Sequence, residues 1–185
     1  VGLKKDTIII FQSDHGHSTE ERTFGGGGDA GPYRGAKFSL FEGGIRVPSI
    51  VSWPGHLPEN QVRKQMATNC DWMPTIAELC DVKLPGPKID GESLVPIIES
   101  DNAPDAHEVF HWQSGRSEWG PQWAVREGNW KLIGNPRDTS NKAKLTESDQ
   151  MFLVNLEEDM SEMQNIAREH PDIVKRLARM HDKWI

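Results

Sequence analysis

No stretch of this 185-residue sequence approaches the run of about 18 apolar residues that a membrane-spanning helix requires. The longest apolar run, Ile8-Ile9-Ile10-Phe11, is strand-sized. Cysteine is scarce: Cys70 and Cys80 are too few for a disulfide framework. Flanking one predicted helix, they would stand about 15 Å apart, beyond disulfide reach, and both read as small core hydrophobes. Positive charge is also short. Lysine and arginine total 21 against 28 acidic residues, a net charge of −7, which excludes an electrostatic nucleic-acid binder. Anionic substrates stay open, because a local cationic cluster or a bound cation can reverse the local potential. The sequence also lacks an Asn-x-Ser/Thr glycosylation acceptor, a signal-peptide pattern, an internal repeat and a heptad. It opens almost directly into a buried-looking strand, so a fragment or a processing product is expected.

What is present supports a folded chain. Hydrophobic residues make up 36% and charged residues 26%, enough for one medium domain or one domain with a small appendage. Thr7 to Gln12 and Val47 to Trp53 read as strands, the second closed by Trp53-Pro54-Gly55. Between them runs a glycine-rich loop, of a length that in compact domains is functional or disordered. Met66 to Thr68 reads as a short strand. A helix capped by Asp71 runs to Cys80 with Pro74 in its first turn, burying Ile76, Leu79 and Cys80. Ser93 to Glu99 reads as a short helix. A polar break at Asp101 to Asp105 marks a domain border. Beyond it, Glu108 to Trp112, Trp123 to Arg126, Trp130 to Ile133 and Phe152 to Asn155 read as short strands, with a tight hairpin at Glu127-Gly128-Asn129. Ser161 to Arg168 reads as a helix, and Pro171 opens a terminal helix as its first residue. That helix carries one apolar stripe: Ile173, Val174, Leu177, Met180 and Trp184.

Two clusters carry chemistry. The first predicted strand runs out into Ser13-Asp14-His15-Gly16-His17. Asp14 and His15 could approach one ion: carboxylate oxygen suits a hard cation, and imidazole can complete the shell or bond substrate. Gly16 permits a turn that brings His17 back over the site. The plainer alternative is a capping aspartate beside surface histidines. The second cluster, Arg34-Gly35-Ala36-Lys37 through Glu42-Gly43-Gly44-Ile45-Arg46, sets cations and a glutamate among glycines. Lys37 or Arg34 could hold an anionic oxygen, the lysine as a point charge and the arginine as a fork. Glu42 and Arg46 read as a structural ion pair. Further on, His107, His111, Trp112, Arg116, Trp119, Trp123 and Arg126 fall close together. His111 and Arg116 are the substrate-contact candidates there, whereas Trp123 and Trp130 read as sheet packing.

Asp14-His15-Gly, Arg34-Gly-Ala-Lys37, Glu42-Gly-Gly-Ile-Arg46-Val-Pro48 and Trp53-Pro-Gly occur in one order. With Asp71-Trp-Met-Pro-Thr-Ile, Asp90-Gly-x-Ser-Leu, Ala124-Val-Arg-x-Gly-Asn-Trp130-Lys-Leu and Phe152-Leu-Val-Asn-Leu156, they closely resemble the C-terminal portion of the formylglycine-dependent sulfatases. These form the arylsulfatase-like branch of the alkaline-phosphatase superfamily. The resemblance covers nearly the whole chain. It implies sulfate-ester hydrolysis, with Asp14 as a ligand of a divalent cation, usually Ca2+. His15 stands where many members carry an asparagine ligand, and Lys37 is the lysine that contacts sulfate and the formylglycine side chain. His17, Arg34, His111 and Arg116 are then substrate-facing, and a sulfated sugar or other sulfated small molecule is the implied substrate.

The family's Cys/Ser-x-Pro-x-Arg motif is not here: Cys70 and Cys80 both have proline at the wrong offset. The expected nucleophile, a formylglycine, therefore belongs to an N-terminal part of the same sulfatase, and these 185 residues alone are expected to be inactive. The resemblance implies an α/β fold, the C-terminal part of an alkaline-phosphatase-like sandwich with a mostly parallel sheet. A small α+β subdomain with an antiparallel sheet and a terminal helix follows. Residues 1–105 are assigned to the large domain and 106–185 to the subdomain. No nucleic-acid partner is expected, and a periplasmic, secreted or lysosomal setting follows from the resemblance. A phosphate-ester or phosphonate hydrolase of the same superfamily, or a non-catalytic carbohydrate-binding remnant, is the alternative.

Overall fold

The computed structural model describes residues 2–24, 26–87, 89–117 and 120–185, without the side chains of Arg116 and Ser117. In chain order its elements are β1 (Ile9–Gln12), α1 (Glu42–Ile45), β2 (Ser49–Ser52), α2 (Trp72–Leu79), α3 (Val95–Glu99), β3 (Val109–Ser117), β4 (Gly120–Glu127), β5 (Trp130–Gly134), β6 (Met151–Asn155) and α4 (Pro171–Trp184). The chain divides into two compact units, Val1–Gln12 with Ser49–Glu108, and Ser13–Pro48 with Val109–Ile185.

In the first unit β1 pairs antiparallel with β2, Ile9 opposite Ser52 and Phe11 opposite Ile50. Ile9, Phe11 and Ile50 are 57 to 60% exposed, so β1 is not the buried strand its sequence announces. Asp71 organises the rest. Its carboxylate is fully buried and accepts from the backbone N–H of Thr68 (2.6 Å) and Glu92 (3.0 Å), and its Oδ1 lies 2.7 Å from His107 Nε2. Gly91 permits this, because a Cβ there would stand 2.0 Å from the Cys70 carbonyl. The helix after Asp71 buries Thr75 and Ala77, not Ile76 and Cys80 as expected. The turn of the helix is set by the Thr75 hydroxyl, which donates to Asp71 O and accepts from Leu94 N–H. Both cysteines are exposed rather than core residues.

The second unit is built on the antiparallel meander β3-β4-β5-β6. Its inner strands are covered on both faces, which is why they read as apolar runs rather than alternations. One face packs Ala124, Ile133, Phe152 and Val154 against Leu40 and Phe41. The other packs Val125, Leu132 and Leu153 against Leu177 of α4, with Ile173 and Val174 beside it. Each of these leucine, isoleucine, valine and phenylalanine side chains contributes roughly 1.5–3 kcal/mol by leaving water.

The mostly parallel sheet expected from the sequence is not what forms: both sheets are antiparallel. A parallel return needs a crossover that carries the chain back to the opposite end of the strand. Here the Ser13–Pro48 excursion closes on itself, Ser13 N–H donating to Pro48 O at 3.2 Å, so the chain re-enters where it left. Met66 to Thr68 and Ser161 to Arg168 also form neither the strand nor the helix expected. In the latter stretch Glu162 sits at φ 55, a left-handed conformation that ends any helix.

Candidate functional site

The Ser13–Pro48 segment carries most of the candidate residues, and buried polar contacts fix it to the meander. Lys131 of β5 is fully buried, with Nζ 2.8 Å from Glu42 Oε1 and 2.9 Å from Glu162 Oε1. Arg46 holds the other Glu42 oxygen at 2.6 Å, the ion pair expected from the sequence. Glu42 N–H also donates to the Glu162 carboxylate. Burial disfavours the Glu42 charge, but Lys131 and Arg46 outweigh it and bring the carboxyl down to about 2. Burial, reinforced by the Glu42 charge, pushes Glu162 up despite Lys131. The two acids sharing one lysine are therefore not equivalent.

Arg34 is the second anchor. It is 1% exposed, and its guanidinium donates to Asp138 Oδ2 (2.8 Å), Glu162 O (3.1 Å) and Ala143 O (2.9 Å). It lies 4.2 Å from the Phe41 ring centroid. These donors are spent inside the protein, where they clamp the segment. Glycines complete the fit. Gly16 N–H bonds Gly44 O at 2.8 Å, and a Cβ on Gly16 would stand 2.0 Å from Gly43 O.

This frame presents Asp14, His15, His17 and Lys37. Lys37 N–H donates to His17 O at 2.9 Å, so these two residues are neighbours. His17 Nδ1 is buried and has no hydrogen-bond partner among the described residues. Lys37 Nζ lies 3.1 Å from Glu20 Oε2. Arg22 straddles the same carboxylate, Nε to Oε1 and Nη2 to Oε2, both 3.0 Å. One oxyanion is thus gripped by a guanidinium fork and an ammonium. The Arg22 hydrogen bond, opposed by burial and assisted by Lys37, brings the Glu20 carboxyl down to about 2. Neither Glu20 nor Arg22 was singled out from the sequence. The available signal was the Glu20-Glu21-Arg22 triplet in the loop that leads to Lys37.

The cation reading fails on geometry. Asp14 Oδ2 meets His15 Nε2 at 3.1 Å, and His15 Nδ1 lies 2.8 Å from Gly16 O, so both ring nitrogens face oxygens. A ligating imidazole must turn a lone pair to the ion. Among the described residues no group of three or more His, Cys, Asp or Glu side chains is placed to hold a metal ion. The expected Ca2+ site, and with it a sulfatase mechanism routed through a cation on Asp14 and His15, is withdrawn. Neither calcium nor formylglycine is assigned to this chain.

The remaining candidates lie elsewhere. His111, opposite Val125 in the register, is on the α4 face of the meander, whereas Lys37's segment packs on the other face. Its ring stacks on Trp184 at 5.1 Å, and His181 of α4 stacks on Trp123 at 4.3 Å. Burial lowers both imidazoles, that of His111 with a further contribution from His181. The Arg116 side chain lies outside the described residues. No described helix is long and apolar enough to cross a membrane.

The Sulfatase family model matches residues 1–82. Mouse steryl-sulfatase is 31% identical over 98% of this chain and 33% of its own length. The structure of Ps i-CgsB superposes with a TM-score of 0.78 at 24% identity, over 98% of this chain and 37% of the other. A Bacteroides thetaiotaomicron sulfatase, described in connection with metabolism of multiple glycosaminoglycans, gives 0.69 at 25% identity over 98% and 39%. The chain spans about a third of the length of such relatives. It thus has a sulfatase/alkaline-phosphatase-superfamily fold and is a partial homologue of the arylsulfatases and steryl-sulfatases.

Proposed function

We propose that this chain is the C-terminal, anion-holding portion of a sulfate-ester hydrolase, with Lys37 on the sulfate and the nucleophile on another segment of the longer protein. The observation that carries the reading is the convergence of Lys37 and Arg22 on one carboxylate. A sulfate ester offers the same grip, anionic oxygens about a hydrogen-bond length from fixed donors. Glu20 holds that place in the absence of ester and gives way when the ester enters. His17, adjacent to Lys37 with a buried Nδ1, supplies a further donor to the same anion. Arg34 serves by holding Lys37's segment in place. A sulfated glycan is the proposed substrate class, in keeping with the glycosaminoglycan context of one relative, and an exported or lysosomal setting is proposed with it. The border at 101–105, with 1–105 in a larger domain and 106–185 in a subdomain, is a proposal about the whole protein. In this chain Ser13–Pro48 groups with Val109–Ile185.

Steady-state hydrolysis of a small aryl sulfate by the full-length protein tests the reading. Lys37→Ala is expected to lower kcat/KM by about 10²–10³-fold, as loss of one fixed donor to a transition-state oxyanion does. Lys37→Arg recovers part of it. The 185 residues alone are expected to show no turnover. A preference for phosphate or phosphonate esters over sulfate esters, or full activity in Lys37→Ala, overturns the assignment.

A further inference from the structure

The outer face of α4 departs from the charge of the rest of the molecule. The helix carries four cations, Lys175, Arg176, Arg179 and Lys183, and two acids, Asp172 and Asp182. Its balance is +2, against −9 for the remaining residues (17 cations, 26 acids) of a chain with net charge −7. Lys175, Arg179 and Lys183 follow one another at four-residue intervals, about 6 Å of helix rise each. All four cations are exposed and, with Asp172 and Met180, line an open groove of about 430 Å³. Arg176 is partly engaged with Glu127 of β4. The other three form no ion pair among the described residues, and none of them is used by the anion seat at Lys37.

We propose that this stripe is a docking track for a sulfated polysaccharide, which holds the polymer to the protein at a place separate from Lys37. The proposal rests on the sulfated-glycan reading above for its choice of polyanion. Spaced point charges and an arginine fork suit successive sulfate groups along a chain. Two other polyanions fit less well. An anionic membrane engages an amphipathic helix through its apolar face, but here Leu177, Ile173, Val174 and Met180 are packed against the meander. Single-stranded nucleic acid calls for aromatic stacking platforms among the cations, and the groove has none.

The test uses the full-length protein, heparin as the probe, and the variant Lys175→Gln/Arg179→Gln/Lys183→Gln. The expected result is heparin affinity about tenfold or more weaker, with a flatter salt dependence, because fewer counterions are released. Thermal stability and hydrolysis of a small aryl sulfate are expected to be unchanged. Lys175→Arg/Lys183→Arg is expected to bind as the parent does, which separates lost charge from lost fold. Unaltered heparin binding by the triple variant overturns the proposal. So does equal binding of polyglutamate, or tighter binding to vesicles of anionic lipid than to heparin. If the stripe governs heparin binding in a protein that hydrolyses no sulfate ester, the track stands and the enzymatic reading falls.

Discussion

The two units of this chain use apolar residues in opposite ways. The unit of Ser13–Pro48 and Val109–Ile185 buries them: Leu132, Ile133 and Leu153 are fully inaccessible, and a four-stranded sheet is covered on both faces. The unit of Val1–Gln12 and Ser49–Glu108 leaves Ile9, Phe11 and Ile50 open on a two-stranded sheet, a size that is marginal alone in water. It coheres through polar hubs instead. Asp71 ties together Thr68, Glu92 and His107, and Arg63 donates to Ile97 O, Ile98 O and Asp101. The lesson is that the Ser13–Pro48 segment, which carries Lys37, belongs to the unit with the buried core, while the other unit leaves apolar side chains exposed.

The sharpest way to break this comparison is mutation at matched apolar positions. Leu153→Ala is expected to cost about 2–5 kcal/mol, the range for a buried leucine. Phe11→Ala is expected to cost well under about 1 kcal/mol in this chain, because its side chain is already in water. Chemical denaturation measures both, and equal costs would erase the distinction. Next in size are the two acids on Lys131. Glu42→Gln leaves a buried ammonium short of its main counter-charge and is expected to cost about 3 kcal/mol or more. Glu162→Gln is expected to cost less than half of that, since burial already disfavours the Glu162 charge and the amide oxygen can still accept.

Smaller again is a pH effect confined to the α4 face. His111 and His181 are both lowered from their ordinary 6.5, chiefly by burial. The groups around them are Asp182 on α4, which opposes the shift at His181, and the two histidines themselves. The unfolded chain therefore binds these protons more readily, and stability rises with pH through this range. It is fully present above about 6.5 and falls as the pH drops below that value. Thermal melts at pH 7.5 and 5.5 are expected to show a lower Tm at 5.5. His111→Phe/His181→Phe is expected to flatten that slope.

Much of the second unit was legible beforehand. β4 and β5 meet at Gly128 and Asn129 because Gly128 adopts φ 56, and α4 starts at Pro171 because a proline there loses no hydrogen bond. Strand direction was not legible. Ile8 to Phe11 is apolar enough for a parallel interior strand, but β1 pairs antiparallel with β2 once the Ser13–Pro48 excursion closes on itself. The helix expected at 161–168 fails for a reason remote in sequence. Glu162 is drawn to Lys131 and Glu42, while Asp159 takes the N–H groups of Met163 and Gln164. At the site, Lys37 could be named from its neighbours, but its partner Glu20 lies seventeen residues upstream across a glycine-rich loop. Asp14 and His15 illustrate the converse: adjacent ligand-type residues satisfied each other instead of an ion.

The central claim is that Lys37 releases Glu20 to hold a sulfate. A crystal structure of the full-length protein with a non-hydrolysable sulfate ester tests it directly. The account predicts a sulfate oxygen within hydrogen-bond distance of Lys37 Nζ and the Glu20 carboxylate displaced from it. An ester bound elsewhere, with the Lys37–Glu20 pair intact, would contradict it.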